Sequence, residues 1–312
     1  NYPFRNFFIK IAAFFIGILV CFVGAEIIVR VLVDDGMEYN LEMWKYARKL
    51  KQVAKNPSQG HLHIPNKSAL LMGVDVSINS HGYRNRETPI KKPPGVTRVM
   101  MLGDSLTFGW GVPAEDTVST QLENLLVKNN HLFEVINTGI GNTNAEMQIS
   151  SFLAKGILFS PDIVVLNYFI NDAEPIPRPT KNILMKYSPA YVFFALRLGS
   201  ISRLFLGGKQ WEEYYLDLYD ENFEGWKRTK SSISKLAKYC AKNGIKLIIV
   251  SYPELHKLNP YPFKSVNKKL GRIAVNLQVP FLNLVPTLQN EQENSLWVSI
   301  QDQHPNSLAC KL

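Results

Sequence analysis

The stretch TRVMMLGDSLTFG, residues 97–109, combines a short apolar run with a turn bounded by glycines. Thr97–Leu102 is mostly apolar and has β-branched residues near its start, which predicts a buried strand. A helical pattern begins around Ala114, so Ser105 lies on the turn that leaves the strand, at the edge where open α/β sheets build their sites. The other interpretation of Asp104 and Ser105 is a simple helix cap, a position that both residue types favour.

Strand and helix patterns alternate after this turn. Together with 97–102, the further apolar runs predict a sheet of about five strands, the others being 133–140, 162–169, 246–251 and 279–288. The intervening helices are predicted over 116–127, 145–158, 226–243 and 265–277. Strands that alternate with helices at this spacing indicate a parallel sheet covered on both faces, so the predicted fold class is α/β.

The N-terminal segment 7–33 is almost wholly apolar. About 27 residues of helix reach roughly 40 Å, which is enough to cross a hydrocarbon core. Arg5 and Lys10 precede the uninterrupted apolar run, so the positive-inside tendency predicts a cytoplasmic N-terminus and an extracytoplasmic (periplasmic) remainder. We therefore expect an uncleaved, single-pass transmembrane signal-anchor. A signal peptide cleaved after Ala25 is the alternative.

The composition is that of a globular chain, with 312 residues of which 46% are hydrophobic and 20% are charged. The formal net charge is +9, but no dense block of Arg and Lys with interleaved aromatic residues occurs. This pattern argues against a nucleic-acid partner and favours a basic surface that faces water, anionic lipid or an acidic polymer. Cys21, Cys240 and Cys310 form neither a disulfide framework nor a metal-ligand cluster. We expect Cys240 and Cys310 to be buried free thiols, with a bridge between them as the alternative.

The predicted domain organisation has three regions: an anchor 1–33, a juxtamembrane helix and wrapping segment 34–95, and a main domain 96–312 with a helical insertion at about 173–222. In the second region, Leu41–Ala54 has the pattern of a basic amphipathic helix, which either lies on anionic headgroups or packs on the main domain. The insertion contains an apolar tract, 191–206, that is closed by Gly207-Gly208. This tract predicts either a helical excursion packed on the body or an apolar lid or membrane-facing patch over the site.

Polar residues follow the predicted strands at the points where the strands end. They are Ser105 after the first strand, Gly139–Asn142 after the second, Asn171-Asp172 after the third, and Asp302-x-His304 beyond the fifth. A serine nucleophile needs a base, the base needs an orienting carboxylate, and the developing oxyanion needs hydrogen-bond donors. One serine, one Asp-x-His unit, one carboxamide and one glycine-rich turn supply each role once. Taken singly, each of these segments is also explained as an ordinary turn or loop.

This set of residues resembles the SGNH/GDSL hydrolase family, from about Arg98 to the C-terminus. The motif GDSLTFG at 103–109 is similar to the family's first block, which implies that Ser105 is the nucleophile and that its N–H is an oxyanion donor. The motif NTGIGNT at 137–143 is similar to the second block and implies a backbone donor at Gly141 or Asn142. The resemblance also implies a flavodoxin-like, three-layer α/β/α fold and a serine esterase mechanism.

The last two blocks depart from the usual pattern of the family. The third is normally Gly-x-Asn-Asp, and this chain has Phe169-Ile170-Asn171-Asp172. The side-chain oxyanion donor Asn171 is therefore present, while Phe169 is expected to narrow the pocket. The fourth is normally Asp-x-x-His, whereas this chain has Asp302-x-His304, a spacing found among members that act on polysaccharide acyl groups. The resemblance implies that His304 is the base and Asp302 its orienting carboxylate.

Asp104 and His256 are candidate substrate contacts at the same edge of the sheet. A structural or solvent-facing histidine is the alternative for His256, because His304 already fills the role of base. The chemistry needs only the protein's own groups, so we expect no metal and no organic cofactor.

The sequence therefore predicts a membrane-anchored carboxylic ester hydrolase. The expected substrate is an acyl ester, O-acetyl by preference, on a cell-envelope carbohydrate or a lipid. The alternatives are an O-acyltransferase to a polysaccharide, a lipase or lysophospholipase, and a non-catalytic glycan-binding partner of an acyltransferase. Because Leu312 lies only a few residues into the helix expected after His304, continuation of the natural chain beyond Leu312 is a further expectation.

Overall fold

A computed structural model describes residues 2–128, 132–205 and 210–312. The chain forms two compact units: the smaller contains the described residues of 1–45 and 180–208, and the larger contains those of 46–179 and 209–312. The strands are β1 (Lys51–Val53), β2 (His61–His63), β3 (Ser68–Leu71), β4 (Val74–Ser77), β5 (Thr97–Leu102), β6 (Phe133–Asn137), β7 (Ile163–Tyr168), β8 (Lys246–Ser251), β9 (Phe281–Asn283), β10 (Trp297–Ser299) and β11 (Asp302–Pro305). The helices are α1 (Tyr2–Ile28), α2 (Tyr39–Lys49), α3 (Ser105–Phe108), α4 (Val118–Val127), α5 (Ala145–Ala154), α6 (Ile183–Tyr187), α7 (Pro189–Phe205), α8 (Trp211–Asp217), α9 (Glu224–Lys242), α10 (Lys264–Leu277), α11 (Val285–Leu288) and α12 (Ser307–Lys311).

The central sheet of the larger unit has five parallel strands in the order β6-β5-β7-β8-β9. In chain order this is 2-1-3-4-5, the flavodoxin-like arrangement. The predicted α/β fold with a parallel sheet of about five strands is therefore confirmed. The strand order reverses between β5 and β7, and ligand sites of open α/β sheets lie at the carboxyl ends of the strands at that point. Ser105 follows β5 and Asn171 follows β7.

The two faces of the sheet bury different side chains, because successive residues of a strand point to opposite sides. Met100 and Leu102 of β5 join a large core with α5, α9 and α10, and Val99 and Met101 join a smaller core with α4. Both faces are thus covered by helices, which gives the three layers. Cys240 and Cys310 are buried free thiols, as expected.

Several predicted elements are shorter in the structure. The strand predicted over 133–140 ends at Asn137, where the glycine-rich turn begins, and the helix predicted over 145–158 ends at Ala154. The fifth strand, predicted over 279–288, ends at Asn283. The Asn283 side chain accepts a hydrogen bond from the Val285 N–H at 3.1 Å, and the helix α11 begins at Val285 with Pro286 in its first turn. The amphipathic helix predicted over Leu41–Ala54 ends at Lys49. The residues that follow it pair as β1 with β2 in an antiparallel hairpin, and strand pairing there replaces the last helical turn.

The smaller unit contains α1, α6, α7 and most of α2. Phe4–Val33 is long and apolar enough to cross a membrane by length and composition, with a mean hydropathy of 2.6. Signal sequences share these properties, so the anchor and the predicted boundaries 1–33, 34–95 and 96–312 stay predictions. Val29, Leu41 and Ala190 are buried together, which joins the end of the apolar segment to α2 and α7.

The predicted apolar tract 191–206 is largely helical in the structure, as part of α7. Phe194 and Leu198 on this helix are exposed. The side chains from Ile201 to Leu206, together with Gly207-Gly208, lie outside the described residues.

Candidate active site

Ser105 is the first residue of α3, and Gly103 and Asp104 connect it to the strand β5. The Asp104 carboxylate caps this short helix by accepting the Leu106 N–H at 2.9 Å. The end of β6 and the turn after it hold α3 tightly: Asn137 Nδ2 donates to the Thr107 carbonyl at 2.7 Å. A Cβ on Gly139 would lie only 2.2 Å from the Phe108 backbone nitrogen, so the turn after β6 approaches α3 more closely than any side chain permits.

The hairpin of β10 and β11 brings His304 to Ser105. His304 Nε2 lies 2.8 Å from Ser105 Oγ, and His304 Nδ1 lies 2.6 Å from Asp302 Oδ1. Residues two apart on a strand share a face, which explains why Asp302 and His304 meet side by side on β11. The structure thus brings together the three predicted catalytic residues, although 199 positions separate Ser105 from His304.

The Asp302 carboxylate is buried and fully engaged. Oδ1 also accepts the His304 backbone N–H at 3.1 Å, and Oδ2 accepts Trp110 Nε1–H at 2.7 Å. Burial alone would raise the pKa of Asp302, but the hydrogen bonds from His304 and Trp110 and the charge of His304 bring it below its ordinary value. Asp302 is therefore a carboxylate at neutral pH.

This carboxylate selects the histidine tautomer. A carboxylate oxygen can only accept, so His304 Nδ1 carries the proton in the neutral ring, and Nε2 has the free lone pair that faces Ser105 Oγ. The arrangement is therefore able to take a proton from the serine hydroxyl.

The glycine-rich turn after β6 contributes two predicted oxyanion donors with different surroundings. The Gly141 N–H already donates to Tyr46 Oη at 2.9 Å. Asn142 is exposed and has a left-handed backbone with φ of 61°, a conformation that glycine adopts most easily. The turn therefore leaves Asn142, and not Gly141, as the candidate backbone donor, alongside the N–H of Ser105.

Asn171 lies directly beside Asp104. Its Nδ2 donates to Asp104 Oδ2 at 3.2 Å, which uses one of the two amide hydrogens and leaves the other for a ligand. Asp104 is 1% exposed, and both of its oxygens accept hydrogen bonds from the protein. This geometry favours a supporting role for Asp104, and not the direct substrate contact that the sequence predicts.

The residues around Asn171 are held by a second buried carboxylate. Asp172 accepts hydrogen bonds from Gln148 Nε2 at 2.7 Å and from the Phe169 N–H at 2.8 Å. Burial, followed by the negative charge of Asp104, raises the pKa of Asp172 well above its ordinary value. The ring of Phe169, which stands where the family has glycine, packs against the large core. The expected narrowing of the pocket there stays a prediction.

His256 forms a separate pair with Glu254. Its Nδ1 contacts Glu254 Oε1, and the hydrogen bond with Glu254 raises the pKa of His256. Its ring lies between Trp211 and Trp297, with centroid distances of 5.1 Å and 6.0 Å. These contacts are with residues other than Ser105, Asp302 and His304, and substrate contact by His256 stays a prediction.

Trp110 and Tyr46 are site residues that no sequence motif indicates. The signal for each is chemical, because a buried indole N–H or phenol needs a polar partner. The partner of Trp110 lies 192 positions away, at Asp302, and no local pattern specifies it. Among the described residues, no group of three or more His, Cys, Asp or Glu side chains is arranged to hold a metal ion.

No protein-family model matches the chain, and no curated protein matches it in sequence. Among solved structures, the chain is similar to TesA, with 13% identity and a TM-score of 0.45 over 69% of this chain and 92% of that one. It is also similar to a lipolytic protein of the G-D-S-L family from Desulfitobacterium hafniense, with 17% identity and a TM-score of 0.44 over 69% and 94% of the two chains. A third is a two-domain esterase active on acetylated mannans, with 16% identity and a TM-score of 0.41 over 69% and 45%.

Proposed function

We propose that this protein is a serine ester hydrolase in which Ser105, His304 and Asp302 act as nucleophile, base and orienting carboxylate. The observation that carries the proposal is the continuous hydrogen-bonded series from Ser105 Oγ to His304 Nε2 at 2.8 Å and from His304 Nδ1 to Asp302 Oδ1 at 2.6 Å. A serine, an imidazole and a buried carboxylate in this order are sufficient for acyl transfer through a covalent intermediate.

In the first half of the reaction, Ser105 Oγ forms a bond to the acyl carbon while its proton passes to His304 Nε2. The carbonyl oxygen becomes an oxyanion, which the N–H groups of Ser105 and Asn142 and the Asn171 amide stabilise. The ester C–O bond then breaks, and the leaving alcohol takes the proton from Nε2. Water adds to the acyl-enzyme with His304 again as base, which releases the acid and restores Ser105.

We further propose that Phe4–Val33 anchors the enzyme and that the rest of the chain is extracytoplasmic. The length and hydropathy of this helix support the anchor, and Arg5 and Lys10 before the uninterrupted apolar run support the orientation. On that side of a membrane, the available acyl esters are those of envelope carbohydrates and lipids, and an O-acetyl carbohydrate is the substrate we propose. The net charge of +9 suits an anionic polymer or lipid surface.

The test of the nucleophile is Ser105→Ala assayed with p-nitrophenyl acetate. We expect turnover to be lost while the yield of folded protein is unchanged, because Ser105 is a small residue whose replacement removes one oxygen. A fluorophosphonate probe should label the parent at Ser105 and leave the variant unlabelled. Turnover by Ser105→Ala close to that of the parent would remove Ser105 from its role.

The substrate class is tested by comparing acetyl, butyryl and palmitoyl esters, each with and without an acetylated glycan. Preference for acetyl esters and release of acetate from the glycan would support the proposed hydrolase. Preference for palmitoyl esters would make the enzyme a lipase, and transfer of acetyl to a glycan hydroxyl would make it an acyltransferase.

A further inference from the structure

The hairpin of β1 and β2 holds the carbonyl group of Gly141, which lies on the glycine-rich turn after β6. The Gly141 oxygen accepts hydrogen bonds from Lys51 Nζ at 3.0 Å and from His61 Nε2 at 3.1 Å. Lys51 belongs to β1 and His61 to β2, so both strands of the hairpin contribute a donor. This hairpin, which precedes the central sheet in the chain, therefore contacts the candidate site through the Gly141 carbonyl.

Tyr46 at the end of α2 holds the opposite side of Gly141. The Gly141 N–H donates to Tyr46 Oη at 2.9 Å, and Tyr46 Oη lies 2.6 Å from His63 Nε2. His63 Nδ1 lies 3.2 Å from the Gly82 carbonyl, which can only accept, so Nδ1 carries the proton and Nε2 accepts from the tyrosine. Tyr46 and His63 are both buried, so this series of hydrogen bonds has one orientation.

The contacts of Gly141 determine where the next amide points. The Gly141 carbonyl and the Asn142 N–H belong to one planar trans peptide, in which C=O and N–H point in opposite directions. Because Lys51 and His61 hold the carbonyl, the Asn142 N–H points away from the hairpin. We propose that Lys51 and Tyr46 are positioning residues that orient and polarise the Asn142 amide as an oxyanion donor, which rests on the proposed function.

Both positioning residues form hydrogen bonds directly with the backbone of Gly141. A cation at the carbonyl oxygen polarises the peptide and strengthens its N–H as a donor, since hydrogen bonds in series reinforce one another. Lys51 Nζ also lies 4.6 Å from the centroid of the Tyr46 ring, which keeps the two side chains together. On the Tyr46 side, a Cβ on Gly141 would lie 2.8 Å from Tyr46 Cε1, so the ring requires glycine at this position.

Lys51 gives the arrangement a dependence on pH. Part of its side chain is exposed, but burial of its ammonium group lowers the pKa of Lys51 from 10.5 to about 7. It faces His61 and His63, whose pKa values burial lowers to about 4 and about 3, and Tyr46, whose pKa burial raises above its ordinary value. Lys51 is therefore the member of this cluster that changes charge near neutral pH.

More distant charges complete the surroundings of the cluster. The positive charge of Arg84 lowers the pKa of Tyr46, and the negative charge of Asp104 raises it. Burial lowers the pKa of Arg84 to about 10, so Arg84 keeps its charge at neutral pH. The pKa of Asp104 is raised by burial, and Asp104 Oδ2 accepts the hydrogen bond from Asn171 Nδ2.

The sign of the Lys51 effect follows from its lowered pKa. Between about pH 7 and 10.5 the unfolded chain holds a proton on Lys51 that the folded protein has lost, so stability rises with pH in that interval. Below about pH 7 the folded protein carries the buried, charged ammonium group of Lys51, and its burial lowers the free energy of unfolding. We therefore expect Lys51→Met to have the melting temperature of the parent at pH 7. A loss of activity in this variant would then not result from unfolding.

The activity arm of the test compares Lys51→Met with Lys155→Met in the full chain. Lys155 is a matched control, because its Nζ also donates to a backbone carbonyl, that of His81 at 2.8 Å, and burial also lowers its pKa. With p-nitrophenyl acetate, Lys51→Met should lower kcat about 10-fold at pH 6.5 with little change in KM, because an oxyanion donor acts in the transition state. Lys155→Met should keep the parent kcat.

The pH profile gives a second readout that a purely structural role would not move. In the parent and in Lys155→Met, kcat should fall as the pH rises through about 7 and should approach the level of Lys51→Met, since deprotonation removes the same charge. Lys51→Met should lack this alkaline limb. Retention of both kcat and the alkaline limb in Lys51→Met would overturn the proposal.

A measurement without turnover separates this proposal from the proposed function. In full-length protein labelled with ¹⁵N-asparagine in micelles, the Asn142 amide resonance is assigned by its loss in Asn142→Gly, a change that suits φ of 61°. It should titrate near pH 7 in the parent and in Lys155→Met but not in Lys51→Met. A titration that persists in Lys51→Met, or is missing in the parent, overturns the positioning role. If the titration follows Lys51 while Ser105→Ala keeps its activity, the proposed function fails and the Lys51 contact with the turn stands.

Discussion

The contacts of Asp302 predict that one substitution will be rescued by a second one. Asp302 Oδ1 accepts two hydrogen bonds from His304, and Oδ2 accepts one from Trp110. In Asp302→Asn, one carboxylate oxygen is replaced by an NH₂ group. In one orientation of the amide this group faces Trp110 Nε1–H, and in the other it faces the His304 backbone N–H, so it meets a donor in both. The outcome depends on which of the two donor contacts costs less.

If the NH₂ group faces Trp110 Nε1, a 2.7 Å hydrogen bond becomes a contact between donors, but His304 keeps its proton on Nδ1. If the NH₂ group faces His304, the 3.1 Å bond from the backbone N–H is lost and Nδ1 becomes an acceptor. The proton then sits on Nε2, which no longer accepts from Ser105. Since the shorter Trp110 bond costs more to break, we expect the second orientation, and a loss of about 10⁴-fold in kcat.

Trp110→Phe removes the donor that opposes the first orientation. With no N–H at that place, the carboxamide at position 302 of the double variant is free to direct NH₂ toward the phenyl ring and its oxygen toward His304. Leaving a buried donor without a partner costs about 1–3 kcal/mol, and every 1.4 kcal/mol is about tenfold. The double variant should therefore be about 10- to 100-fold faster than Asp302→Asn, whereas Trp110→Phe alone should be slower than the parent.

The assay is kcat for p-nitrophenyl acetate in the parent, both single variants and the double variant at one pH. Because Trp110 is buried, its replacement also costs stability, and thermal melts must show that all four proteins are folded at the assay temperature. A double variant that is slower than Asp302→Asn, with the two losses multiplied, would refute the account of how Asp302 selects the tautomer.

Two further predictions concern the base and the glycine turn. His304→Gln should abolish turnover, because an amide nitrogen has no lone pair to take the Ser105 proton; turnover close to that of the parent would contradict this role. Gly139→Ala should lower the free energy of unfolding by more than about 2 kcal/mol in a urea melt, because its Cβ would lie 2.2 Å from the backbone nitrogen of Phe108, which has no room to move; an unchanged midpoint would contradict the close approach.

The elements of the sheet were predictable because their signals are local. Thr97–Leu102 has the predicted bounds, and α10 begins one residue from the prediction. The predictions were wrong at 284–288 and at 50–54, where the outcome depended on a turn and on pairing with β2. Periodicity reports which face of a segment is buried, but it does not report which distant strand competes for its backbone groups.

The candidate site likewise has a part that the sequence predicts and a part that depends on distant contacts. Residue type and order were enough to predict Ser105, Asp302 and His304, since each group has a chemistry that few residues supply. The donors and acceptors that hold them were not predictable: Trp110 on Asp302, Asn171 on Asp104, and Tyr46 on Gly141. These contacts join residues far apart in the chain.

The sequence by itself therefore determined the order of strands and helices and the chemical groups at the strand ends. Tertiary structure decided that Ser105 and His304 are 2.8 Å apart and that the Gly141 N–H is already occupied. The physical reason is that local sequence controls backbone conformation and burial, whereas a hydrogen bond also needs two groups placed within a few tenths of an ångström. That placement results from the packing of helices and loops against both faces of one sheet.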